Sequence, residues 1–75
     1  MNWKYRISLD PAIMFGKPVI KGTRVPVELI VNKLAGGRIV EQLLKSYPHL
    51  EADDIYACLS YAAESVKNIL VYEVA

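Results

Sequence analysis

The spacing of apolar and polar positions changes along the chain. In "YRISLD", residues 5–10, they alternate, which predicts a short strand with Ile7 and Leu9 on one face. Asp10-Pro11 turns the chain, because proline biases the residue before it away from helix. "KPVIKG" predicts a second strand between Gly16 and Gly22. Pro18 belongs at its start or on an edge, since proline donates no ladder hydrogen bond. Residues 1–24 therefore read as a two-stranded ribbon, which cannot stand alone in water.

From Pro26 the period is helical. Pro26 suits the first helical position and Glu28 suits the first turn, where the helix dipole favours a carboxylate. Val27, Ile30, Val31 and Leu34 form one apolar face, and Gly36-Gly37 stop the helix. "RIVEQLLKSYP" repeats the pattern at Val40, Leu43, Leu44 and Tyr47, and Pro48 ends it. The third helix is expected from Glu51 to Val66, burying Ile55, Cys58, Leu59, Ala62, Ala63 and Val66. Residues 25–66 thus predict a three-helix bundle of helix-turn-helix kind. After Lys67-Asn68, "ILVYEVA" is β-branched and apolar. It predicts a last strand, paired with the ribbon or with another chain. The expected fold is one domain, 1–75, mainly α with a small β ribbon: ribbon at 1–24, helices at 25–66 and a tail or strand at 67–75.

Composition adds a constraint on stability. A domain of this size buries only about 60% of the surface its unfolded chain exposes and usually needs a staple. Cys58 is the sole cysteine and His49 the sole histidine, so neither an intrachain disulfide nor a zinc set is available. With 53% hydrophobic residues, the remaining staple is a partner chain, and a homo-oligomer is expected. The N-terminus lacks a signal-peptide core and no run approaches the length of a membrane span. A lone cysteine fits a reducing compartment, so a cytoplasmic protein without membrane contact is expected.

The net charge of +1 hides a split. Residues 1–24 carry Lys4, Arg6, Lys17, Lys21 and Arg24 against Asp10, a balance of +4; the rest of the chain balances to −3. Such asymmetry points the basic part at an anion, either nucleic acid or an acidic protein surface. Lys17, Lys21 and Arg24 are the candidate contacts, with the two lysines on one strand face at their even spacing.

Motifs of catalysis are weak. Gly16 to Lys21-Gly22-Thr23 imitates a phosphate loop, but the gap is one residue too long and the lysine and glycine are swapped. Asp53-Asp54 read as helix-dipole partners, Cys58 as core and His49 as a turn residue. Tyr56 and Tyr61 on the third helix, with Ile69, Val71 and Tyr72 of the tail, are amphipathic or apolar enough to be interface candidates. No cofactor, metal or enzymatic activity is expected.

"DPAIMFGKPVIKGTRVPVELIVNKLAGG", "EQLLKSYPHL" and "DDIYACLSYAAE" together resemble the small prokaryotic family catalogued as domain of unknown function 433. The resemblance runs from about Ile7 to Glu64. It implies a homeodomain-like helix-turn-helix fold and one proposed role, the antitoxin partner of a PIN-like ribonuclease toxin, as in VapB-type antitoxins. In this light Gly16, Pro18, Gly22, Gly36, Gly37 and Pro48 are structural turns and not a nucleotide site. Two positions depart from the family pattern: Arg38 before the second helix and Glu51 before the third, neither a good N-cap. The expected function is an antitoxin-like module that masks a PIN-like nuclease, with DNA binding as an added property. The alternative is a helix-turn-helix transcriptional regulator without a toxin partner.

Overall fold

The computed structural model describes the backbone of residues 1–73 and the side chains of residues 1–68. Strands β1, Ile7–Ser8, and β2, Val19–Ile20, form an antiparallel ribbon with Ile7 opposite Ile20 and Ser8 opposite Val19. Helices α1, Val27–Ala35, α2, Val40–Ser46, and α3, Ala52–Glu73, follow. The mainly helical fold with an N-terminal ribbon is the one expected. The ribbon is shorter: Leu9 does not share the buried face of Ile7 but is exposed. β1 ends because Asp10 closes an Asx turn, its carboxylate accepting the Ala12 N–H at 2.9 Å.

Helix α1 begins one residue later than expected. Pro26 is its N-cap, in extended conformation and bridged to Val19, and the Val27 N–H donates to the Pro18 carbonyl at 2.9 Å. Its end is a Schellman motif. The Gly37 N–H donates to Leu34 O and the Arg38 N–H to Lys33 O, both at 3.0 Å, with Gly37 at φ 98°. Arg38 is not the N-cap of α2, which is Ile39, whereas Glu51 does stand immediately before α3. Helices α2 and α3 both borrow an acceptor from their third residue: the Gln42 amide oxygen takes the Ile39 N–H, and the Asp54 carboxylate takes the Glu51 N–H. Each is the N3-to-N-cap half of a capping box.

The core gathers Ile7 and Ile20 from the ribbon, Val27 and Ile30 from α1, Leu43 from α2, Leu50 from the turn, and Ile55, Ala57 and Cys58 from α3. Cys58 lies in it as expected. The buried face of α3 is rotated from the expected one. Asp54 and Ala57 are buried and Tyr61 is partly covered, whereas Leu59, Ala63 and Val66 are exposed. Apolar residues occupy both sides of this helix, and packing against α1 and the N-terminal helical turn, Trp3–Tyr5, chooses between them.

The tail is the larger correction. No strand forms over residues 69–73; α3 runs unbroken to Glu73. No glycine or proline interrupts Ala52–Glu73, and β-branched residues lower helix propensity by only about 0.7 kcal/mol or less each. Helix satisfies every backbone donor locally, which a lone third strand would not. The expected side-chain roles of Ile69, Val71 and Tyr72 lie outside the described side chains, and residues 74–75 lie outside the described backbone.

Candidate functional site

The three expected cations fall at two ends of β2. The strand covers only Val19 and Ile20, both buried, so no strand face carries Lys17 with Lys21. Lys17 precedes the strand, and its Nζ pairs with Glu28 at 2.7 Å. Lys21 follows the strand, where its N–H donates to the Arg6 carbonyl at 2.7 Å. Thr23 closes the turn: its hydroxyl donates to Ile20 O at 2.7 Å and accepts the Val25 N–H at 3.0 Å. Gly22, at φ 80°, supplies the left-handed residue this turn requires. The Lys-Gly-Thr resemblance to a phosphate loop is therefore a turn whose hydroxyl is already engaged. Lys21 and Arg24 flank it, both exposed and without an ion pair among the described residues.

Arg6 is the cation that local sequence reading missed. Its guanidinium reaches Asp54 at 3.0 Å, Glu51 at 3.3 Å and Asp53 at 3.7 Å. Hydrogen bonds to Asp54, then to Glu51, raise its pKa above the ordinary arginine value. The Asp54 carboxylate is nearly buried and caps α3 at the same time, through the Glu51 N–H at 2.8 Å. This clasp ties β1 to the start of α3 and neutralises much of the acidic turn. Its only sequence signal is one arginine in a strand and one acid-rich helix start, far apart in the chain. Cys58 sits beneath it, its thiol pushed up to about 12 by burial and then by the Asp54 charge.

Two further features face outward. Met14, Phe15 and Gly16 all have positive φ (51°, 59° and 82°), and this run holds the Phe15 ring fully in solvent. Positive φ at two successive non-glycine residues is strained backbone of the kind found at functional positions. An apolar groove of about 480 Å³ lies between α1 and the C-terminal half of α3, lined by Pro18, Pro26, Val27, Val31, Ala62 and Val66 among others. The Lys17–Glu28 pair belongs to its lining. The expected tyrosine pair is split. Tyr56 is exposed, while Tyr61 is half-buried against the edge of Trp3, with ring centroids 4.8 Å apart at 87°. The Trp3 indole also donates to Glu64, so the N-terminal turn is pinned to α3.

The sequence profile of the protein family of unknown function DUF433 matches residues 7–62. The uncharacterized protein y4eO of Sinorhizobium fredii is 39% identical over 56 residues, which are 75% of this chain and 25% of that protein. The chain thus spans about a quarter of the length of the curated relative it matches. The crystal structure of a DUF433 member protein from Anabaena variabilis superposes with a TM-score of 0.77 at 28% identity, covering 93% of this chain and 69% of that one. Among the described residues, no helix is long and apolar enough to cross a membrane.

Proposed function

The chain belongs to the DUF433 family of proteins of unknown function, and from that premise we propose that it is an antitoxin-like protein-interaction module that binds and masks an acidic, PIN-like nuclease. The layout of charge carries this reading. Arg6 and Lys17 are paired with carboxylates of the same chain, but Lys21 and Arg24 stand exposed on either side of a hydrogen-bonded turn. Such nucleases gather carboxylates around divalent ions. Arg24 supplies a planar fork for a carboxylate and Lys21 a point charge beside it. Exposed Phe15, at the other end of β2, adds an aromatic anchor of the type that dominates protein interfaces.

The DNA-binding alternative is weaker on the same grounds. A helix-turn-helix places the N-terminal residues of its second helix against base edges. In α3 those positions are next to Glu51 and Asp53, both exposed, which would face the phosphates. The test combines the purified chain with a PIN-like nuclease encoded in an adjacent reading frame and, separately, with duplex DNA from upstream of the gene. Lys21→Ala/Arg24→Ala should slow association and relieve inhibition of the nuclease. Lys45→Ala, an exposed charge on α2, should do neither. Full inhibition by the double variant would refute this site. Tight DNA binding whose salt slope falls by about one per removed cation would favour the regulator instead.

A further inference from the structure

Phe15 is the most exposed large apolar side chain among the described residues, at 101%, against 78% for Tyr5, which has a hydroxyl to present to water. A lone apolar side chain on a surface is ordinary. This one is held there by backbone that resists it. Met14 and Phe15 sit at φ 51° and 59°, where Cβ crowds the following carbonyl oxygen. Local hydrogen bonds keep the chain in this shape. The Ala12 and Ile13 N–H groups donate to the Asp10 carboxylate and carbonyl at 2.9 and 3.0 Å. The Gly16 N–H donates to Ile13 O at 3.0 Å and the Lys17 N–H to Met14 O at 3.1 Å.

None of these bonds uses the ring. At full exposure it packs on nothing in its own chain, so no contact inside the fold offsets the strain. Strained backbone that persists in this way collects at contact surfaces and other functional positions. An aromatic side chain already fixed in place also loses little freedom when it docks. A protein surface suits it better than a lipid one. Among residues 10–17 the one cation, Lys17, is paired with Glu28 at 2.7 Å, which leaves little attraction for anionic headgroups. Six residues of chain separate Phe15 from Lys21, so their Cα atoms lie at most roughly 20 Å apart. A standard interface of about 800 Å² per partner is roughly 30 Å across, wide enough for both Phe15 and the Lys21–Arg24 turn.

Given the masking reading, on which this rests, we infer that Phe15 sets the lifetime of the complex. The ring seats in an apolar pocket of the nuclease, within roughly 20 Å of the carboxylates that meet Lys21 and Arg24. The two contacts act on different rates. Exposed charges steer the encounter and are screened by salt. A ring buried on docking acts after the encounter, on dissociation.

Surface plasmon resonance with the nuclease of the adjacent reading frame, at two salt concentrations, separates them. Phe15→Ala should raise the dissociation rate by about 30-fold or more, the loss typical of a buried anchor, and leave the association rate and its salt dependence within about twofold. Lys21→Ala/Arg24→Ala should do the reverse, slowing association and flattening its salt dependence. Phe15→Gly should shorten the complex as Phe15→Ala does, yet melt roughly 2–4 °C above the wild type, because glycine adopts this φ freely. Equal lifetimes for the wild type and Phe15→Ala would overturn the anchor and leave the masking reading standing. No binding by the wild type would overturn both. A Phe15→Gly protein that melts below the wild type would show the ring working within its own fold, and would also overturn the anchor. So would a loss of binding to phosphatidylcholine vesicles by Phe15→Ala with nuclease lifetimes unchanged, which would assign the ring to a lipid surface.

Discussion

Cys58 turns the core into a reporter of its own opening. The residue is fully buried, and its thiol is pushed from an ordinary 9.0 up to about 12, chiefly by burial. At pH 8 an ordinary thiol with that value is about one-tenth thiolate, and the buried one about one in ten thousand. The reactive form is thus depleted about a thousandfold before steric exclusion is counted. The same shift couples stability to pH. The folded state keeps its proton up to about 12, while the unfolded chain releases it near 9.0. Between those values the unfolded state binds fewer protons, so the contribution is complete below pH 9 and falls by about 1.4 kcal/mol per pH unit above it. By pH 10 the loss is about 1 kcal/mol, out of a total stability of about 4–11 kcal/mol for a chain of this length. Ellman's reagent at pH 8 should therefore label the native protein orders of magnitude more slowly than the protein in guanidinium. Urea melts at pH 8 and pH 10 should show the wild type losing about 1 kcal/mol more than Cys58→Ala, which shares every other titration. A native protein that labels at the free-thiol rate while its circular dichroism is intact would refute the reasoning. So would equal alkaline losses in the two proteins.

Leu43→Ala empties a fully buried position between α2 and the other elements and should cost about 2–5 kcal/mol, read as a drop in the urea midpoint. Gly37→Ala forces a Cβ into φ 98° and should cost about 1–2 kcal/mol. Gly36→Ala, at φ −80° with only ordinary contacts, should stay within about 0.5 kcal/mol, so thermal melts of the pair separate backbone strain from helix propensity. Asp54→Ala removes the acceptor for both the Arg6 guanidinium and the Glu51 N–H, and should cost about 1–3 kcal/mol in urea. It should also speed tryptic cleavage after Arg6, and an unchanged cleavage rate would count against the clasp.

Local signals carried the first two helices. In α1 the apolar period, the proline entry and the paired glycines lie within a dozen residues, and each acts on neighbours no more than five positions away. The Lys-Gly-Thr-Arg turn was equally local, since Thr23 bonds only to Ile20 and Val25. The apolar residues of α3 are visible in the sequence, but period alone cannot say which side faces inward, because both sides qualify. The end of the same helix carries residues that favour strand, but a helix already nucleated extends at small cost per residue.

The candidate site divides along the same line. Sequence alone established which residues are charged, which are apolar and where the chain must turn, because those properties belong to single residues and near neighbours. Only the tertiary structure decided which charges are spent. Arg6 meets Asp54 across 48 positions and Lys17 meets Glu28 across 11, which leaves Lys21 and Arg24 as the exposed cations of the turn. The physical reason is that an ion pair depends on separation in space, and the packing of β1 against α3 brings Arg6 to the acidic turn.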